Sequence, residues 1–264
     1  MEIGGLHSPL LPLSNQVKKV LYTDYRELHQ LRDQYPELDE LDIVPLDFVS
    51  DANYPALGPQ SLDFIIANHA VEHFEDFFRA MERFHDILRP NGILYLVVPD
   101  KRYTFDRHRE IVTFEHLANE FRTGAEGNRV AHYYEAARAS VAYYMPRSAN
   151  HAAETEKMAQ SLLARKYSIH YHAWRAPDFA EHILRMRREL GIDLWLVDLA
   201  VPNGTTEFIA LLQRPPVEGG LKEVALNRIQ AQDRANIIIN EVKYRIGRSS
   251  LYRLTRSLRK AVGR

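Results

Sequence analysis

The chain has 264 residues, 45% hydrophobic and 26% charged, enough for one large core, or one core with an appendage, in an ordinary globular protein. The absence of cysteine excludes disulfides, thiolate metal sites and a cysteine nucleophile and fits a reducing cytoplasm. There is no apolar run of the roughly 18 residues a membrane span needs, and the start reads as lacking a signal peptide. The net charge of −1 divides into a body of −9 and a tail from Lys222 to Arg264 of +8, with eleven Lys or Arg against three Asp or Glu. An acidic body argues against a nucleic-acid groove and leaves the tail as the contact for anything anionic.

In chain order, residues 1–5 read as the end of a short strand running into Gly4-Gly5. Val17 to Thr23 reads as a second strand ending at Asp24, Arg26 to Tyr35 as a helix stopped by Pro36, and Ile43 to Leu46 as a short third strand before Asp47-Phe48. The block from Asp63 to Asp100 is the most informative. An apolar strand (Phe64 to Ala67) stops at Asn68-His69. A helix over about Glu75 to Leu88 places Phe77, Ala80, Met81, Phe84, Ile87 and Leu88 on one face, and Pro90-Asn91-Gly92 ends it. Ile93 to Val98 is apolar on both faces, as a buried parallel strand should be. Such a strand–helix–strand unit is half of a doubly wound α/β sheet, in which ligands bind at the carboxyl ends of the strands.

Residues 101–172 break this rhythm. They are rich in His, Tyr and Arg and read as a mostly helical insertion, the usual place for a lid. Pro177 to Leu190 reads as a helix closed by Gly191, and Leu194 to Val201 and Glu207 to Gln213 as an antiparallel pair around Pro202-Asn-Gly-Thr-Thr206. A Pro- and Gly-marked linker precedes the basic tail. The domain reading is a core of 1–103 and 173–214, an inserted cap of 104–172, and a linker with tail over 215–264.

Gly4-Gly5 followed twenty residues later by Asp24 has the spacing of a nucleotide-type site, where glycine admits the ligand to the backbone and the acid accepts from ribose hydroxyls. A plain turn and a solvated strand end are the alternative. Asp47 is able to hold an exocyclic amine and Phe48 to cover a flat ring; otherwise they are a loop acid beside a core aromatic. Asn68 and His69 face the crevice, and His73 buttresses the following helix.

Jointly these positions resemble the class I S-adenosylmethionine-dependent methyltransferase family. The matching stretches are Glu2-Ile-Gly-Gly5, Asp24, Asp47-Phe48, Leu62-Asp-Phe-Ile-Ile-Ala-Asn-His-Ala-Val-Glu-His73 and Leu88-Arg-Pro-Asn-Gly-Ile-Leu-Tyr-Leu-Val-Val-Pro99. The resemblance covers residues 1–100 and 173–214. It implies a doubly wound, mostly parallel seven-stranded Rossmann-like α/β sheet with an antiparallel last strand and the helical insertion after strand 5. It implies S-adenosyl-L-methionine as cofactor, held by Glu2, Gly4, Gly5, Asp24, Asp47, Phe48, Asn68 and His69. The glycine motif departs from the family's three spaced glycines. Met1 lies almost on it, so the expected first strand is nearly absent, through a truncated gene product or a damaged cofactor edge.

The reaction implied is methyl transfer from a sulfonium to a nucleophile, for which alignment supplies much of the acceleration and a hydroxyl acceptor also needs a base. The candidate catalytic residues are Asp100, His132, His170 and His172. If their segment is extended, His170 and His172 share a face and serve as a base with its orienter, as two metal ligands, or as ordinary histidines; no metal site is assigned. The aromatics of the insertion (Tyr103, Phe105, Tyr133, Tyr134, Tyr143, Tyr144, Tyr167, Tyr171 and Trp174) suit sugar rings, flat acceptors or a small-domain core equally. The expected acceptor is a small molecule or a saccharide, and cell-surface polysaccharide assembly fits the tail. The rival is a catalytically degenerate module acting in assembly or at a membrane surface. From Lys243 to Arg264 there are eight basic residues and no acid, with Leu251, Leu254, Leu258 and Val262 at helical spacing. This predicts a basic amphipathic helix for an anionic membrane surface or a protein partner, at the inner face of the membrane in a cytoplasmic protein.

Overall fold

The computed structural model describes residues 1–6, 8–10, 17–34, 41–202, 204–218, 228–230 and 232–233. The strands are β1 (Glu2–Ile3), β2 (Tyr22–Asp24), β3 (Phe48–Val49), β4 (Leu62–Asn68), β5 (Leu88–Pro99), β6 (Trp195–Ala200) and β7 (Glu207–Gln213). They form one sheet in the order β3-β2-β1-β4-β5-β7-β6. Pairs β1/β2, β1/β4, β2/β3 and β4/β5 are parallel, while β7 runs antiparallel between β5 and β6. This is the doubly wound, mostly parallel arrangement expected, and it leaves the carboxyl ends of β1, β2, β3, β4 and β5 on one edge.

The middle of the sheet is built by local sequence. In β4, Ile65, Ile66 and Ala67 are buried, and helix α2 (Phe77–Ile87) packs Phe77, Phe78, Ala80, Met81, Phe84 and Ile87 into the core. Asp76 caps α2 by accepting from the Arg79 amide. The helix runs directly into β5, which begins at Leu88 and not at Ile93. Pro90-Asn91-Gly92 therefore lies within the early strand, where Leu88 pairs with Leu62 across a register shift. Gly92 is required there: a Cβ would sit 2.7 Å from the Arg89 carbonyl oxygen.

Strand β3 lies later than its apolar run suggests. Residues 43–46 do not pair with β2, because the Val44 amide donates to the Leu6 carbonyl at 2.9 Å. The ladder starts only where the Asp47 amide reaches Tyr22, and Thr23 then pairs with Phe48 and Asp24 with Val49. Likewise, the run from Val17 to Thr23 yields strand only at Tyr22–Asp24, followed by helix α1 (Leu28–Gln34).

The chain leaves the sheet at Asp100 and returns at Trp174, which form a parallel bridge; the Lys101 amide donates to the Trp174 carbonyl at 2.9 Å. Between them lie two short 3-10 turns, then α3 (Phe114–Thr123), α4 (Arg129–Tyr144) and α5 (His151–Ala164). Helix α3 joins the main core through Phe114, Leu117 and Ala118, and Tyr133, Ala136 and Ile169 form a second cluster. Helix α6 (Ala176–Arg185) continues as a π turn over Met186–Leu190 and stops at Gly191, φ 72°. The expected helix over 243–264 lies outside the described residues. No helix among the described residues is long and apolar enough to cross a membrane.

Candidate active site

The carboxyl edge of the sheet begins with β1. Glu2 is buried and its Oε1 accepts from the Leu10 amide at 2.8 Å, while Oε2 has no partner among the described residues. Gly4 adopts φ +69° and, among the described residues beyond its chain neighbours, no heavy atom lies within 4 Å of the place a Cβ would take; at Gly5 a Cβ would meet Glu2 Oε1 and Tyr22 Cδ1 at 3.4 Å. The backbone of Gly4 thus faces open space. Asp24, at the end of β2, is 7% exposed and accepts from the Tyr25 amide at 2.7 Å. Burial pushes its carboxyl up to about 6.

Asp47 and Phe48 stand at the other end of β3. Asp47 Oδ2 accepts from the Tyr22 amide at 2.9 Å, and Phe48 packs edge-on to Tyr54. The acid at the carboxyl end of β3 is Asp51, whose Oδ1 accepts from the Asn53 amide and side chain, next to Ala52 with φ 76°. The signal for it was the Asp51-Ala52 pair one residue beyond Phe48-Val49.

At the end of β4, Asn68 Oδ1 is buried without a partner among the described residues. His69 has φ 50°; its Nδ1 lies 3.6 Å from Glu72 and its Nε2 2.7 Å from Glu207. Glu72 first and Glu207 second, against the cost of burial, raise its imidazole to about 9, so it is a cation at neutral pH. Glu72 is 1% exposed and neither oxygen has a hydrogen bond among the described residues. Burial works to raise its carboxyl, but His69, His73 and His170 outweigh it and hold Glu72 below its usual range. His73 is structural but not through the following helix: its Nδ1 lies 2.9 Å from both Ile169 O and Ser168 Oγ, tying the end of the insertion to the turn after β4. Burial lowers it to about 4 and keeps it neutral.

The four expected catalytic residues separate into three settings. Asp100 is fully buried and accepts from the Arg102 amide at 3.0 Å and from its guanidinium, which also grips Asp233. His170 places Nδ1 2.6 Å from Asp106 Oδ2 and Nε2 4.0 Å from Glu72 Oε1. Burial opposes ionisation of Asp106, but His170 and then Arg109 prevail and keep it a carboxylate. Arg109 is itself buried and donates to Asp106, Glu135 and the carbonyls of His170 and Tyr171. The ring of Phe105 stacks 4.7 Å from His170, and Tyr144, 64% exposed, lies 6.3 Å beyond Phe105.

His132 and His172 instead meet at Glu120, with Nε2 to carboxylate distances of 2.7 Å and 3.0 Å, and His116 joins them at 3.0 Å. The segment around His170 and His172 is irregular, so the two rings serve different carboxylates. Burial lowers His172 to about 4, while Glu120 keeps His116 above its ordinary value. Glu120, against its own burial, is held far below the usual carboxylate range by His116, His132 and His172. A cavity of about 200 Å³ beside this cluster is lined by His116, His132, His172, Arg109, Glu135 and Tyr171, among others.

Among solved structures, an S-adenosylmethionine-dependent methyltransferase from Mesorhizobium loti is 11% identical over 81% of this chain and 89% of that chain, at TM-score 0.43. One from Methanosarcina mazei is 15% identical over 81% and 91%, at 0.42. A possible histamine N-methyltransferase from Thermotoga maritima is 12% identical over 81% and 80%, at 0.41. A comparison with curated proteins gives no match. A model of the methyltransferase domain does match residues 12–196, most of the chain. By that match the chain belongs to the methyltransferase-domain family, whose methyl donor is S-adenosylmethionine.

Proposed function

We propose that the chain transfers a methyl group from S-adenosylmethionine to a hydroxyl of a small-molecule or saccharide acceptor. The observation that carries this is the pairing of Gly4, with φ +69° and open space above it, with the buried carboxylate of Asp24 at the end of the neighbouring strand. The residues fit the cofactor. Gly4 and Gly5 admit it to the backbone, Asp24 suits the ribose hydroxyls, and Glu2 Oε2 and Asn68 Oδ1, without partners among the described residues, want donors. His69 completes the edge of β4. Asp51, at the carboxyl end of β3, serves the adenine in place of the more distant Asp47. When bound, the sulfonium supplies an electrophilic methyl group.

The chain's own chemistry then concerns the acceptor and its proton. His170 is the base: Asp106 holds Nδ1–H, which leaves Nε2 to take the proton of an acceptor hydroxyl, and the carboxylate stabilises the resulting imidazolium. Arg109 keeps Asp106 in place. Asp100, through Arg102, and His132 and His172, through Glu120, position the insertion around this base. The exposed Tyr144 and the Phe105 ring lead from solvent to His170, a path suited to a sugar or flat ring. The basic tail carries the protein to an anionic membrane surface, in keeping with a cell-surface polysaccharide acceptor. Liposome flotation that is unchanged on deleting residues 243–264 removes this part.

Calorimetry of the full chain with S-adenosylmethionine and S-adenosylhomocysteine tests the central reading. One site is expected, abolished by Asp24→Ala. A folded protein that binds neither ligand refutes it. With methyl-labelled donor and envelope saccharides, His170→Ala should retain cofactor binding and lose roughly 10²–10⁴-fold in transfer.

A further inference from the structure

The Glu120 cluster supplies neither the proposed base nor a cofactor contact, and its composition is not that of an ordinary buried ion pair. His116 and Glu120 lie one turn apart on α3, His132 comes from α4, and His172 from the irregular segment that leads back to the sheet. Their four ligand atoms lie within 4.8 Å of one another. All three histidines point Nε2 at the same carboxylate.

That carboxylate is overcommitted. Oε1 has His132 at 2.7 Å and both His116 and Asn128 Nδ2 at 3.0 Å, three donors where a carboxylate oxygen offers about two lone pairs. Oε2 has His172 at 3.0 Å. A cation at the centre resolves this, because it accepts the nitrogen lone pairs and one carboxylate oxygen while Asn128 keeps the other end oriented. At bond lengths of about 2.0–2.1 Å, the vertices of a tetrahedron are about 3.3 Å apart. The nitrogen-to-carboxylate spacings are 2.7–3.0 Å and no pair of ligand atoms is more than 4.8 Å apart, so side-chain adjustment is enough to close the site.

We propose that His116, Glu120, His132 and His172 form a four-coordinate site for one divalent cation of the zinc class, which ties α3, α4 and the return segment of the insertion together. Three imidazoles with one carboxylate suit zinc and disfavour magnesium or calcium, which take oxygen ligands. Four protein ligands close the coordination sphere, the mark of a structural site. The neighbouring cation Arg109 is engaged by Asp106 and Glu135 and does not oppose the metal with an unpaired charge. The bound ion joins α3, α4 and the return segment at one point, which the second cluster, Glu72, His73 and His170, does not do from opposite sides of the insertion.

The full-length protein, stripped with a chelator, is titrated with Zn²⁺ against a chromophoric competitor and with Co²⁺ by visible absorption. The expected result is one equivalent of Zn²⁺, an intense four-coordinate Co²⁺ band displaced by Zn²⁺, and a melting temperature raised by several degrees. His116→Ala removes the most exposed ligand, and Glu120→Gln the carboxylate. Loss of an outer contact already costs 10–100-fold, so each should weaken Zn²⁺ by roughly 100-fold or more. His170→Ala should bind the metal as the parent does. Far less than one equivalent bound, a weak six-coordinate Co²⁺ spectrum, or unchanged affinity in His116→Ala overturns the proposal. If Glu120→Gln fails to fold, His116→Ala decides alone.

Discussion

Asp24→Asn should make the protein more stable and less able to hold its cofactor, and the gain should depend on pH. Burial moves the Asp24 carboxyl from 3.8 to about 6, worth about 3 kcal/mol at about 1.4 kcal/mol per tenfold, an upper figure because the carboxylate keeps some contact with water. The folded state holds the extra proton between these values, so stability falls as pH rises from 3.8 through about 6 and stays lower above that. Asparagine never ionises and still accepts from the Tyr25 amide through Oδ1. Its advantage should be full near about pH 8, about half as large near about pH 5, and small near about pH 4. With a urea dependence of about 3 kcal/mol per molar, the midpoint at about pH 8 should rise by up to ~1 M. Urea unfolding followed by tryptophan fluorescence at these three values measures it. The same variant should bind S-adenosylhomocysteine about 10–100-fold more weakly, through loss of hydrogen bonds to a charged group worth ~1.5–3 kcal/mol. A midpoint difference that is flat with pH, or negative at about pH 8, refutes the electrostatic reasoning. Unchanged affinity refutes the assigned role of Asp24.

Four further outcomes are expected. Arg109→Ala strips the buried Asp106 of its cationic partner and should cost ~3–5 kcal/mol in urea unfolding; less than ~1 kcal/mol contradicts the buried pair. Gly4→Ala should lose ~1–2 kcal/mol, because φ +69° is costly with a Cβ, and should weaken S-adenosylhomocysteine in calorimetry because that Cβ enters the open space. Asp106→Asn should abolish a slowly exchanging imidazole Nδ1–H proton resonance of His170, and persistence of that resonance would show that the pair does not form. His69, raised from 6.5 to about 9, contributes stability that is full below 6.5 and lost as pH rises through about 9. His69→Gln should flatten that alkaline decline in thermal unfolding.

The block from Asp63 to Asp100 was readable because its strand, helix and strand are contiguous and their apolar periods coincide with their burial. The third strand was displaced because Ile43, Val44 and Leu46 look like strand residues, but the Val44 hydrogen bond goes to Leu6 and pairing with β2 waits for Phe48. That shift of a few residues is what separates Asp47 from Asp51 as the acid at the strand's carboxyl end. The histidine pairings depend on contacts remote in sequence. Asp106 meets His170 across 64 positions and Glu120 meets His172 across 52, and neither spacing carries a local period. His116 and Glu120, four apart on one helix, were the only part of that cluster with a local pattern.

The bridge between Asp100 and Trp174 gives the insertion the topology of an exchangeable cassette. Its two ends are hydrogen-bonded neighbours, so the sheet needs no long connection to be spanned if a different segment is grafted there, and loop closure costs little. A graft inherits two obligations from the turn after β4: a donor for the Glu72 carbonyl, which now takes the Tyr171 amide at 2.7 Å, and a partner for His73 Nδ1. Any segment that meets both can present new side chains over an unchanged carboxyl edge of the sheet.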